Sequence, residues 1–249
     1  MTDAISSEEY ERQLVRRFFD DTPGFFVEVG ANQPIEGSQS WHLEQCGWRG
    51  ILVEPQPKLA ERLREVRSAK VFAAACSSPK NAAQLLPFHV AGSKSSLDRN
   101  AMAWGHYPEE VIRVPVRTLD DILVEGGTPQ PLDFLSIDVE GHEIEVLRGF
   151  DFARWQPRLI LLEDHVGNLS KHWFVKSSGY RLVRRTGLNG WYVPANSPVH
   201  FGWGNRWQLL RKYYLALPFR VLRNLSRRLR QPIKDRMRAR HHWRVDVGA

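Results

Sequence analysis

Apolar residues come in short, nearly unbroken runs that alternate with stretches of helical period. FFVEVG (25–30), GILVEP (50–55), KVFAAACS (70–77), PLDFLSID (131–138) and RLILLED (158–164) read as strands. A strand covered by helices on both faces has no wet side, so it lacks the in-out alternation of a half-buried one. Between these runs, IEGSQSWHLEQCG (35–47), closed by Gly47, and PKLAERLREVR (57–67), with Leu59, Leu63 and Val66 three or four apart, predict helices. QLLPFHVAG (84–92) and VIRVPVRTL (111–119) predict two more strands around a polar loop that contains GSKSSL (92–97) and WGHYPEE (104–110). TLDDILVEG (118–126) and HEIEVLRGF (142–150) predict helices, as does LSKHWFVKSSG, ended by Gly179; YRLVRRTG and NGWYVP form a closing antiparallel pair. This order implies an α/β fold, a doubly wound, mostly parallel sheet of about seven core strands with a hairpin at the end. The expected organisation is an N-terminal helix in residues 1–22, an α/β domain over 23–200 and a helical tail over 201–249.

The tail changes the picture. Residues 205–230 place Trp207, Leu210, Tyr214, Leu217, Val221, Leu225 and Leu229 on one apolar stripe, with Arg211, Arg220, Arg223, Arg227 and Arg228 mostly alongside or opposite. Pro218 is expected to divide the segment into two helices. Residues 201–249 hold 13 Lys and Arg against two acids, whereas the first 200 hold 22 against 26. A basic amphipathic helix beside an acidic body favours an anionic membrane surface as partner, ahead of docking on the body or contact with nucleic acid. The sequence has no run of 18 apolar residues and no basic-then-apolar leader, so the expectation is cytoplasmic, peripheral on the inner face of the cell membrane. Cys46 and Cys76 have no metal-binding spacing and read as small core residues.

Three strands finish on an acid followed by turn residues: Glu28 before Gly30, Glu54, and Asp138 before Glu140. Open α/β sheets bind ligands beyond the carboxyl ends of their strands. Gly30 lets backbone come close to a ligand, and Glu54, 24 residues later, suits two ribose hydroxyls. The first turn, GANQPIEG, lacks G-x-G-x-x-G, and the chain has no G-x-x-x-x-G-K-[ST], which disfavours NAD and nucleoside triphosphates. A ligand with a ribose and no phosphate fits better. S-adenosylmethionine answers that description, and its positive sulfonium suits the acids.

FFVEVGANQP, GWRGILVEPQP and DFLSIDVEGHEIEVLRGF, in this order, resemble the FkbM family of S-adenosylmethionine-dependent methyltransferases, as do SSL and VPVRTLDDIL. The resemblance covers roughly residues 23–195; Glu28 departs from it, aspartate being more usual there. It implies a Rossmann-like class I methyltransferase domain that usually methylates a hydroxyl. By the same resemblance, Glu28, Gly30 and Asn32 surround the methionine part of the cofactor and Glu54 holds the ribose. Ala75 to Ser77 lie at the adenine, and Asp138 sits beside the cofactor.

Methyl transfer to an alcohol requires alignment and removal of a proton. Asp138, Glu140 and His142 are the nearest candidates, and Glu163, Asp164 and His165 should face the same crevice. In one mechanism His142 or His165 is the general base, oriented by a carboxylate. In the other, Asp138 with Glu163 or Asp164 holds Mg²⁺, which acidifies the hydroxyl. The spacing singles out no ligand set, which favours the metal-free version and leaves a metal site undefined. Glu143 reads as a first-turn acid favoured by the helix dipole. His106, with Trp104 and Tyr107, lies in a loop that could cover the acceptor. The expected function is O-methylation of a sugar hydroxyl of a glycan or glycolipid acceptor at the membrane surface. The rivals are an RNA methyltransferase using the tail and a non-catalytic membrane-associated scaffold.

Overall fold

The computed structural model describes residues 6–98, 110–164, 169–199, 202, 207 and 209–223. In chain order, the elements before the second half of the sheet are α1 (Ser7–Phe18), β1 (Phe25–Val29), α2 (Trp41–Glu44), β2 (Arg49–Val53), α3 (Pro57–Val66), β3 (Lys70–Phe72), β4 (Ala75–Cys76), β5 (Leu85–Val90), β6 (Glu110–Arg117) and α4 (Leu119–Gly126). They are followed by β7 (Phe134–Ile137), α5 (Glu143–Arg148), α6 (Phe152–Trp155), β8 (Leu159–Glu163), α7 (Ser170–Ser177), β9 (Tyr180–Thr186) and β10 (Asn189–Pro194). Seven strands form one sheet in the order β3-β2-β1-β7-β8-β10-β9. The first five run parallel, and β10 is antiparallel to both of its neighbours. Strand order reverses between β1 and β7, which puts the crevice of an open α/β sheet at their carboxyl ends.

Alternate residues of each central strand feed opposite cores. Val27, Val29, Ile51, Leu135 and Ile160 pack with Ile122 of α4, Val146 of α5 and Val175 of α7. Their neighbours Phe26, Leu52, Phe134 and Leu161 pack with Val15 of α1, Leu43 of α2 and Leu63 of α3. A one-residue slip of any central strand would exchange the two sets, so the register is tightly specified. Local signals set the ends of the helices. Ser6 Oγ accepts the Glu9 N–H at 3.1 Å to start α1, and the Thr118 side chain accepts from Asp121 N–H at the head of α4.

The structure corrects four of the expected elements. The helix expected over 35–47 shrinks to Trp41–Glu44, because Ser38, Gln39 and Ser40 turn their donors to Glu28 instead of continuing a helix. The strand expected over 70–77 divides: β3 ends the main sheet, while β4 leaves it for a three-stranded sheet ordered β4-β6-β5. The 84–92 and 111–119 strands therefore lie outside the main sheet, and the closing hairpin supplies two of its seven strands. The described part of the tail is not two plain α-helices split at Pro218. A π-helix occupies Leu210–Leu215, Ala216 caps it, and residues 217–223 are helical with Pro218 in their first turn. Cys46 and Cys76 are both free thiols.

Two compact units divide the chain, Met1–Asp164 with Ser170–Phe201 and His165–Leu169 with Gly202–Ala249. Helix α1 thus belongs to the same unit as the sheet. Among the described residues, no helix is long and apolar enough to cross a membrane.

Candidate active site

At the carboxyl ends of β1, β2 and β7 lies a cleft of about 430 Å³, within the usual range for a small-molecule site. Gly30 takes a φ of +86°, and a Cβ there would lie 1.8 Å from the carbonyl oxygen of Asp138. The glycine therefore lets two turns of the protein close on each other, rather than serving only a ligand. Asn32, also left-handed at φ +51°, aims its N–H at Glu54. Each Glu54 oxygen accepts one backbone N–H, Oε2 from Asn32 at 2.9 Å and Oε1 from Gln56 at 2.9 Å. Burial pushes this carboxyl above its ordinary range, and the two N–H donors partly offset it. A carboxylate oxygen accepts more than one hydrogen bond, so Glu54 keeps capacity toward the cleft for a pair of hydroxyls.

Glu28 also borders the cleft, but its oxygens are engaged by the protein. Oε1 accepts from the Gln39 N–H at 2.7 Å, and Oε2 accepts from Ser38 Oγ at 3.0 Å and from Ser40 Oγ. Arg67 braces the same loop through Ser38 Oγ, Ser40 Oγ and the Pro34 carbonyl while pairing with Glu44 at 2.6 Å. Glu28 therefore shapes the wall of the site. Ser77, expected at the adenine, is fully buried, and Ala74, Ala75 and Cys76 present the apolar wall instead.

The acidic turn after β7 meets the end of β8. Oxygens of Asp138, Glu140 and Glu163 all lie within 4.8 Å of one another, and Asp164 is not part of the cluster. Lys94, from the turn after β5, reaches in to Glu140 Oε1 at 2.5 Å. Asp138 opens on the cleft, yet protein crowds its carboxylate. Burial and then the charges of Glu163, Glu140 and Glu143 push its pKa well above the ordinary carboxylate range. Burial disfavours the Lys94 ammonium, but the hydrogen bond and charge of Glu140, with Glu163 and Asp138, outweigh that and raise its pKa. Lys94 is therefore a fixed cation.

His142 caps α5 and borders the cleft, with Nε2 2.9 Å from Ser77 Oγ, which in turn accepts from Asn81 Nδ2 at 2.9 Å. Burial lowers its pKa despite nearby Glu145, Asp98 and Glu143, so the imidazole is neutral at pH 7. Glu143 stands in the first turn of α5, as expected. It is fully buried, accepts the Gly141 N–H at 2.9 Å and pairs with Lys171 at 2.6 Å. His165, His106, Trp104 and Tyr107 lie outside the described residues.

The sequence reading missed Lys94 and the opposite wall, which is built by α1 and the β9–β10 turn. There Glu11 accepts from Thr186 Oγ1 and from Asn189 Nδ2 at 2.7 Å. Burial raises its pKa against those hydrogen bonds. Nothing in a helix of mixed charge marks one acid as buried. Among the described residues around the cleft there are eight carboxylates and one lysine.

Residues 28–185 match the family described as the methyltransferase FkbM domain. No curated protein matches the chain. Among solved structures, the chain is similar to a methyltransferase FkbM from Methylobacillus flagellatus KT at 15% identity and a TM-score of 0.43, over 69% of this chain and 43% of that one. The chain thus spans less than half of that protein. It is also similar to a putative RNA methyltransferase from Pyrococcus horikoshii, at 9% identity and a TM-score of 0.41 over 76% of this chain and 83% of that one. A methyltransferase from Geobacter sulfurreducens is similar at 14% identity and a TM-score of 0.39, over 77% and 80% of the two chains.

Proposed function

The chain belongs to the FkbM methyltransferase family, and from that premise we propose that it is an S-adenosylmethionine-dependent O-methyltransferase acting on a sugar hydroxyl of a glycan or lipid-linked glycan. The observation that carries the reading is Glu54, a buried carboxylate held by two backbone N–H groups with capacity left toward the cleft. The residues present fit the cofactor. Glu54 takes the ribose hydroxyls, Ala74 to Cys76 face the adenine, and the turn at Gly30 and Asn32 borders the methionine part. When bound, S-adenosylmethionine supplies an electrophilic methyl group on a cationic sulfur.

The acidic wall suits that positive charge and a neutral polyol, and it repels the phosphates of an RNA strand. This favours a sugar over the RNA alternative. Asp138 accepts the hydroxyl proton, since its raised pKa brings a carboxylate toward the range where it is an effective base. Glu140 and Glu163 stabilise the proton on Asp138, and Lys94 pairs with Glu140. His142, neutral and tied to Ser77, orients the acceptor by a hydrogen bond.

A Mg²⁺-assisted reading rests on the same three carboxylates, which offer hard oxygen ligands. The ammonium of Lys94, 2.5 Å from Glu140, already supplies a cation there, which favours transfer without metal. Activity that survives exhaustive chelation agrees with this; activity restored only by added Mg²⁺ supports the metal reading.

Calorimetric titration with S-adenosylmethionine and S-adenosylhomocysteine tests the cofactor. Micromolar binding by the wild type, weakened about 10- to 100-fold in Glu54→Ala, is the expected result, given about 1.5–3 kcal/mol for hydrogen bonds to a charged group. No binding of either compound by folded wild-type protein would overturn the assignment in favour of a scaffold.

A further inference from the structure

The described part of the tail exposes large apolar side chains that a soluble surface rarely leaves together. Phe219 is 76% exposed, Leu222 64% and Trp207 61%, and Leu210, Tyr214, Leu215 and Val221 are exposed as well, whereas Tyr213 is buried. The π-helix over Leu210–Leu215 carries three of them. Phe219 and Leu222, three apart, share one helical face and with their neighbours form an exposed apolar stripe. Val221, part of the regular stripe expected from the sequence, is exposed here too. Arg211, Lys212, Arg220 and Arg223 are interleaved with it along the sequence, and residues 201–249 carry 13 Lys and Arg against two acids.

We infer that residues 209–223, with Trp207, are an interfacial anchor that lays this stripe into an anionic lipid bilayer, with the neighbouring cations on the headgroups. Charge complementarity selects the occupant. An apolar stripe alone would accept any greasy surface, but a stripe interleaved with cations in a tail of this charge is matched by a surface that is apolar below and anionic above. The Trp and Tyr at its N-terminal end have the amphipathic rings favoured at headgroup depth. Such an anchor lies on a membrane without crossing it, consistent with the lack of a spanning helix among the described residues. The inference stands apart from methyl transfer, because attachment requires neither cofactor nor acceptor.

The test is flotation of the full chain with vesicles of phosphatidylcholine alone and with about one-third phosphatidylglycerol. We expect flotation with the anionic vesicles only and its reversal by high salt. A Phe219→Glu, Leu222→Glu double variant should reduce binding at least tenfold with an unchanged melting temperature. Both residues are exposed, so the variant should fold. An Arg220→Gln, Arg223→Gln variant should lose roughly fivefold per charge removed. No flotation of the wild type, equal flotation with neutral vesicles, or full flotation of the glutamate variant overturns the inference. So does a single-stranded RNA that binds more tightly than the anionic vesicles and is unaffected by the glutamate substitutions.

Discussion

Lys94 and Asp138 show how the cleft divides its charge. Lys94→Met removes the one cation among the described residues of an acidic wall, which should favour the cationic S-adenosylmethionine over S-adenosylhomocysteine, whose sulfur is neutral. The affinity ratio should move about tenfold or more toward S-adenosylmethionine, since unit charges even about 12 Å apart interact by about 1.4 kcal/mol at an effective dielectric of about 20. Unchanged ratios by calorimetry would remove Lys94 from the cofactor's electrostatics. Asp138 is held at a raised pKa, so between its unfolded and folded values the native state binds more protons than the unfolded chain. Stability is therefore lost as pH rises through that window. Asp138→Asn relieves this: above that window Tm should exceed the wild type's, while turnover falls about 100-fold or more. His142 acts in the opposite sense. Its folded pKa lies below the ordinary 6.5, so protonation of the unfolded chain takes stability away as pH falls through that value.

The first turn is the element on which the cofactor site depends. Gly30 combines φ +86° with a Cβ position 1.8 Å from the Asp138 carbonyl oxygen, whereas Gly37, at φ +73°, has nothing within 4 Å of its Cβ position. Gly37→Ala should cost only the left-handed backbone penalty, about 1–2 kcal/mol. Gly30→Ala adds a collision with main chain and should cost about 3 kcal/mol or more by denaturant midpoint, with loss of cofactor affinity. Equal costs would show that the two turns part easily. The contrast also marks what could be read from the sequence. Acids at the ends of apolar runs are local in the chain, so Glu28, Glu54 and Asp138 could be placed at the strand tips before any contact was known. The partners of those acids were not legible. That Ser38 and Ser40 serve Glu28, and so end a helix early, depends on a turn folding back across the sheet. That Lys94 meets Glu140 is a contact across 46 positions of sequence, made by a polar loop with no periodicity to read. The division of 70–77 between two sheets was hidden because both halves are equally apolar.

At the scale of the whole molecule, the chain is bipolar: 22 Lys and Arg against 26 acids in the first 200 residues, and 13 against two in the remainder. An anionic surface repels the first part and attracts the second, so how the tail presents its apolar side chains governs attachment more than net charge does. In the helical segment after Ala216 that presentation is a matter of angular phase. One alanine inserted after Ala216 would rotate residues 217–223 by about 100° and carry Phe219 and Leu222 away from Leu210 and Leu215. Charge and nearly all of the composition would stay the same. Four inserted alanines turn the helix through about 400° and return the two side chains to within about 40° of their original direction. Vesicle binding should then fall with the first insertion and recover with the fourth, so that attachment varies with the period of a helix rather than with the length of the tail.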